Sequence, residues 1–152
     1  MTLDKLRAVH TDEKLAAAMA NDDPEVRGFA IRMRLRLTLE ALLDDAIARA
    51  AMLDRQYAGG ADGRWIVIDF YPANPDDRPD LDTFEIDLLG GGGFRRWYVD
   101  INRARNPEYS GNVEAVYDGT PDGDLIDADE ASCRQLIEAL RGAVVVEMRE
   151  AA

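Results

Sequence analysis

Residues 83–101 read TFEIDLLGGGGFRRWYVDI. In Thr83 to Leu89 the apolar residues Phe84, Ile86 and Leu88 fall on one side of an extended chain, and Thr83, Glu85 and Asp87 fall on the other. A strand with a single apolar face marks an antiparallel sheet, packed on one side and wet on the other. Gly90 to Gly93 then read as a flexible hairpin loop, and Phe94 to Ile101 returns as the next strand. Outward from this hairpin, Trp65 to Tyr71 (WIVIDFY) and Val113 to Tyr117 (VEAVY) repeat the two-residue period. The connections are short, rich in Gly and Pro and without helical pattern, which predicts a meander. Asp127 or Asp129 caps a helix, 129–141, that buries Leu136, Ile137 and Leu140. Gly142 stops it, and Ala143 to Met148 forms the last strand. The expectation is a mostly antiparallel sheet of four to five strands, with one helix before the final strand.

The first half has a different period. Asp23-Pro24-Glu25 combines a capping carboxylate, a proline where its missing donor costs nothing, and an acid near the positive end of the helix dipole. From Pro24 to Tyr57 nearly every residue is a good helix former, and Gly59-Gly60 ends the run. Helical spacing places Ile31, Leu35, Leu39, Leu42, Ala46, Leu53 and Tyr57 on one stripe. Val26, Phe29, Met33 and Leu37 make a second, roughly opposite stripe, so the front of the helix is expected to be buried on two sides. Residues 31–39 also alternate strictly, but Leu, Met and Arg there favour helix over strand. Thr11-Asp12-Glu13 caps a short helix from Asp12 to Ala20, and Leu3, Leu6 and Val9 make an amphipathic turn before it. Leu15 to Ile31 resembles the inter-helix turn of a HEAT repeat, but it spans at most one repeat and no second copy follows, whereas stacked repeats need about three.

The expected class is therefore α+β: N-terminal helices including one long helix, then the sheet, in a single domain over 1–152 with a helical part (1–57) and a sheet part (64–152). A chain of 152 residues buries roughly 70% of its unfolded surface around one core. A helix of 34 residues would run about 51 Å, past the roughly 40 Å diameter of such a domain. Either it breaks, near Asp44-Asp45, or its surplus apolar surface packs on another subunit. A homo-oligomer, most simply a dimer, is the expectation.

No apolar run approaches the ~20 residues of a membrane-spanning helix, and MTLDKLRAVHTDEK has no apolar core of a secretory signal, so a cytoplasmic location is expected. With one Cys and one His, the chain has no disulfide framework and no Cys/His zinc site. The net charge of -12 is concentrated beyond residue 57, where 20 acidic side chains face 9 basic ones, against 10 and 9 before it. Such a surface repels a phosphate backbone, disfavouring nucleic acid, and attracts basic partners. Asp outnumbers Glu 20 to 10 and Arg outnumbers Lys 16 to 2, a bias that a GC-rich or halophilic source also produces.

Several residues are candidates for chemistry or binding. His10 lies in the N-terminal segment, and Cys133 lies early in the last helix, where a thiol is either activated by the helix terminus or simply packed as a small hydrophobe. Asp118, Asp122, Asp124 and Asp129 partly resemble a calcium loop of the EF-hand or dockerin type. Pro121, Ile126 and a strand leading into the loop depart from that pattern, and no bound metal is expected. Asp69, Asp87 and Asp100 are mid-strand carboxylates whose convergence depends on register. The favoured binding site is the glycine hairpin, with Gly91 and Gly92, and the strand after it: Arg95, Arg96, Trp97 and Tyr98, together with Trp65 and Tyr71. Arg beside aromatics is the pairing enriched at binding hot spots. On a strand Arg96 and Tyr98 share one face, and Arg95 and Trp97 the other. Replacing Arg96 by Ala should then weaken binding with little change in stability.

No catalytic constellation forms from these residues. The sequence reads as a non-enzymatic, acidic protein-binding factor, such as a small inhibitor of the immunity or anti-defence type that occupies a basic protein. The alternative is a small-ligand-binding protein for an anionic or nucleotide-like molecule, or a degenerate small enzyme, with its pocket between sheet and helices near Arg95, Arg96, Trp97, Trp65 and Tyr71. Neither reading calls for a cofactor.

Overall fold

The structure is a computed structural model, which describes residues 11–49, 52–58, 65–74, 76, 81–90, 93–102, 113–120 and 123–150. The expected turn of Leu3, Leu6 and Val9, as well as His10, Gly91, Gly92 and Asp122, lie outside the described residues. The chain forms an α+β fold: helices α1 (Asp12–Met19) and α2 (Pro24–Arg49), strands β1 (Leu53–Ala58), β2 (Trp65–Tyr71), β3 (Leu81–Gly90), β4 (Gly93–Asn102), β5 (Val113–Gly119) and β6 (Ile126–Asp127), helix α3 (Glu130–Leu140) and strand β7 (Val144–Glu150).

The caps are those the sequence dictates. Thr11 accepts from the Lys14 amide, Asp23 accepts from the Glu25 amide at 2.9 Å, and Asp129 accepts from the Ser132 amide at 2.8 Å. Gly142, with φ 75°, turns the chain out of α3 in a backbone region where a side chain is strained.

The sheet has seven strands in the order β6-β5-β4-β3-β2-β1-β7, with β6 only two residues long. Every pairing is antiparallel. Strands β1 to β6 therefore form the expected meander, and only β7 is placed out of sequence order, against the outer edge of β1. The sheet is larger than the predicted four to five strands because β1 had been assigned to the long helix and β6 was not foreseen.

The long helix is corrected in the same place. It ends at Arg49 instead of Tyr57, and its backbone breaks at Leu43 (φ -130°, ψ 21°), one residue before the Asp44-Asp45 pair at which a break was expected. The break leaves the Leu42 carbonyl to side chains of β1: Arg55 Nη1 donates to it at 2.7 Å and Tyr57 Oη at 2.9 Å. Leu53 and Tyr57 are four apart, a spacing that suits a helix stripe as well as one face of a strand, while the arginine between them hides the alternation. Pairing to β2 on one side and β7 on the other decides for strand.

The core lies between the sheet and the helices. Ile66, Ile68, Phe70, Phe84, Ile86 and Leu88 on β2 and β3 and Trp97, Val99 and Ile101 on β4 pack against Ile31, Leu35, Leu39 and Leu43 of α2 and Leu136 and Leu140 of α3. The second stripe of α2 is covered by α1, where Leu15 joins Ala30, Met33 and Leu37, while Val26 and Phe29 stay exposed. Residues 31–39 alternate because α2 is buried on both sides, as its helical reading required. At 26 residues the helix runs about 39 Å, within the dimension of the domain. The overhang that motivated a dimer is therefore gone. Among the described residues, no helix is long and apolar enough to cross a membrane.

Candidate functional site

Helices cover one face of the sheet, and the side chains of the other face point away from them. Register builds a continuous row across this open face: Asp54 of β1 lies opposite Asp69 of β2, Asp69 opposite Glu85 of β3, Glu85 opposite Tyr98 of β4, and Tyr98 opposite Tyr117 of β5. One step along, Asp87 lies opposite Arg96. Charged groups one strand apart are close enough to interact strongly.

Arg96 and the tyrosines organise the carboxylates. Arg96 grips Asp87 with two bonds, Nε to Oδ1 at 2.6 Å and Nη2 to Oδ2 at 2.9 Å, and its Nη1 is 3.0 Å from Glu85 Oε1. Tyr98 Oη donates to Glu85 Oε1 at 2.8 Å and Tyr71 Oη to Oε2 at 3.3 Å. Glu85 and Asp87 are buried although they lie on the face away from the described helices. Hydrogen bonding to Asp87 is the main cause that moves the Arg96 guanidinium further above its already high ordinary value. Burial, then Glu85, pushes the Tyr71 hydroxyl up to about 12, and burial likewise raises Tyr98, so both remain donors.

Asp69 is the group most altered by this arrangement. Burial, then the charge and hydrogen bond of Asp54, then Glu85, push its carboxyl up to about 7. In the unfolded chain the same group ionises near 4, so Asp69 favours folding fully below that pH, and this contribution is lost as pH rises towards about 7. Asp69→Asn, which cannot ionise, should therefore melt higher than the wild type at pH 8, with the difference shrinking at pH 5. Thermal melts at the two pH values test this, and a difference that does not change with pH would refute the assignment.

The three mid-strand aspartates do lie on adjacent strands of this face, yet they do not converge on one another. Asp69 meets Asp54 and Glu85, Asp87 meets Arg96, and Asp100 accepts from Thr83 Oγ1 at 2.7 Å. Among the described residues, no group of three His, Cys, Asp or Glu side chains is arranged to hold a metal ion. Glu85 and Asp54 were not singled out from the sequence. Glu85 looked like any outward residue of an alternating strand, and Asp54 was assigned to a helix.

The predicted Arg95–Tyr98 site divides between the two faces. Arg96, Tyr98, Tyr71 and the half-exposed Trp65 belong to the open face. Trp97 is fully buried in the core, where its Nε1 donates to Ser132 Oγ at 3.0 Å. Ser132 in turn donates to Asp118, which also accepts from Arg95. Arg95 lies 4.9 Å over the Trp97 ring and donates to Gln135 of α3. These four side chains fasten α3 to β4 and β5, so Trp97 and Arg95 lie on the helix side of the sheet, apart from Arg96 and Tyr98.

This arrangement also disperses the calcium-loop residues. Asp118 is buried on Ser132 and Arg95, Asp129 caps α3, and Asp124 is exposed. Cys133 is buried, and that burial pushes its thiol up, opposite to the activation a helix terminus would give.

The expected stability-neutral Arg96→Ala substitution is revised by the same geometry. Removing this guanidinium strips two buried carboxylates of their cation. Because Arg96 is itself partly exposed, the cost should be about 2 kcal/mol, below that of breaking a fully buried pair. Urea denaturation measures it, and an unchanged midpoint would show that the carboxylates are satisfied without Arg96.

The residues of the expected pocket are split between the two faces of the sheet, with Arg95 and Trp97 on the helix side and Arg96, Trp65 and Tyr71 on the other. A cavity of about 420 Å³ lies elsewhere, between α2, β5 and the start of α3, lined in part by Gly28, Arg32, Glu114, Asp129 and Cys133.

Fold and sheet face together define an α+β protein with an antiparallel sheet whose face away from the described helices carries carboxylates, tyrosines and an arginine. No family model matches the chain, and no curated protein or solved structure matches it.

Proposed function

We propose that the protein is a non-enzymatic binding factor that docks a basic protein on the open face of its sheet, in the manner of a small acidic inhibitor. The observation that carries this reading is the row Asp54–Asp69–Glu85 beside Tyr98 and Tyr117 on the face of the sheet away from the described helices. Carboxylates crowded enough to hold a proton near neutral pH gain from a neighbouring cation, and tyrosines add rigid amphipathic contact area. The dyad Asp69–Glu85 has neither a nucleophile nor a preorganised oxyanion site among the described residues around it, so binding suits it better than catalysis.

The test uses a photo-crosslinking residue at Tyr117, on the open face, and separately at Ala17 of α1, in the native host. The reading requires a basic protein captured from position 117 alone. Once purified, that protein should bind less tightly as salt rises, and at least about tenfold more weakly to the Asp54→Asn/Asp69→Asn variant. Capture of the basic protein from position 17 instead, or an affinity indifferent to salt, would overturn it.

A second reading, a small-ligand-binding protein, is favoured by the cavity of about 420 Å³ with Arg32 on its wall. A ligand at 100 times its Kd adds about 2.7 kcal/mol of stability, so thermal melts against nucleotides and small anions separate the two readings.

A further inference from the structure

The helical side of the molecule carries a groove of opposite character to the sheet face. Two adjoining hollows, of about 790 and 540 Å³, run between α1, α2 and α3 and share Asp12, Arg34, Thr38 and Arg141. The larger is floored by Ala16, Met19, Ala20 and Ile137. Its rim holds Arg34, Arg134 and Arg141, one from each of α2, α3 and the end of α3, against the single carboxylate of Asp12. In a chain with 30 acidic and 18 basic side chains the lining of this hollow is thus richer in arginine than in carboxylate, the other acids that pair with these arginines lying outside the lining.

The rim arginines are held by carboxylates that are themselves largely in water. Arg34 pairs with Asp12 at 2.6 Å, Arg141 with Glu138 at 2.6 Å and Arg134 with Glu130 at 3.2 Å, and the side chains of these acids are 94%, 61% and 41% exposed. Exposed pairs of this kind contribute about 0–1 kcal/mol, so an incoming carboxylate can replace them at little cost. Arg134 is also positioned by its bond to the Met19 carbonyl, which ties its head to the end of α1.

We propose that this groove receives an acidic amphipathic helix of a partner protein, its apolar stripe on Ala16, Met19, Ala20 and Ile137 and its flanking carboxylates on Arg34, Arg134 and Arg141. Helix-in-groove docking needs an apolar floor for side chains at i, i+3, i+4 and i+7 and a charged rim that fixes orientation. The groove provides both, and charge complementarity selects an acidic partner over a basic one. The site is separate from the sheet face, and neither binding proposal depends on the other.

Three synthetic helical peptides test it against the full chain by fluorescence anisotropy. Each has about 18 residues, enough to hold a helix, and the same leucine stripe, and they differ only in carrying glutamate, glutamine or lysine on the flanking positions. The glutamate peptide should bind at least about tenfold tighter than the lysine peptide, and Arg34→Glu combined with Arg141→Glu should reverse that order. Ala16→Glu, on an exposed position of α1, provides a second variant that leaves the core untouched; it lies under the leucine stripe that all three peptides share and should weaken the glutamate peptide most. An unchanged order of affinities in the double arginine variant, or an unchanged affinity of the glutamate peptide in Ala16→Glu, would overturn the proposal. So would light scattering that finds a dimer dissociated by Arg141→Glu, since the groove would then be occupied by a second copy.

Discussion

Alanine in place of Glu40 is expected to lower the unfolding free energy by about 3 kcal/mol or more. Glu40 accepts from Arg36 Nε at 2.8 Å, one turn away on α2, and both side chains are almost entirely out of water, at 3% and 6% exposure. An ion pair at this depth has already lost its hydration. Removing one partner takes from the other a compensating charge at hydrogen-bond distance, whereas replacing both by apolar residues removes both buried charges together. Arg36→Leu combined with Glu40→Met should accordingly recover most of the stability lost in Glu40→Ala. Urea unfolding of the three proteins makes the comparison. A single variant as stable as the wild type would mean that the pair is hydrated, and a double variant worse than the single would mean that the charges specify how α2 packs.

Trp97→Ala should cost about 3–5 kcal/mol. The ring is completely buried in the centre of the β4 face, so its loss opens a cavity that the surrounding strands can only partly close. The indole Nε1 also donates to Ser132, whose hydroxyl donates to Asp118, so α3 loses one of its attachments to the sheet. Trp97→Phe keeps most of the volume and removes only the donor, and should lose about 1–2 kcal/mol. Denaturant midpoints for the two variants separate packing from hydrogen bonding. Equal losses in both would place the whole effect on the hydrogen bond.

Much of the candidate binding face was legible in part. Alternation alone put Arg96 and Tyr98 together and apart from Arg95 and Trp97, and it marked Asp69, Asp87 and Asp100 as outward residues. The partners were not legible, because a shift of one residue in the pairing of β2 with β3 would move Asp69 away from Glu85. The same limit applied to Asp118, whose spacing to Asp122, Asp124 and Asp129 suggested a loop of ligands. Its place opposite Trp97, where β5 pairs with β4, instead aims it at Ser132.

The sequence by itself determined the elements whose signals are local. Strands β2 to β5 follow from a two-residue period, helices α1 and α3 from capping side chains at Thr11 and Asp129, and the two-sided burial of α2 from its two stripes. The single apolar face of the sheet follows from polar residues on alternate positions, with Glu85 and Asp87 set between Phe84, Ile86 and Leu88, although Glu85 and Asp87 are themselves buried by their partners in the fold. Only the tertiary structure decided the state of residues 53–58, where good helix formers become a strand because β2 and β7 pair along both edges, and their side chains engage the Leu42 carbonyl left by the break in α2. It also brought Asp54, Asp69 and Glu85 into one row and placed Arg34, Arg134 and Arg141 around one groove. Period and capping are read within a few residues of chain, whereas strand pairing and helix docking are settled by contacts between segments far apart in sequence.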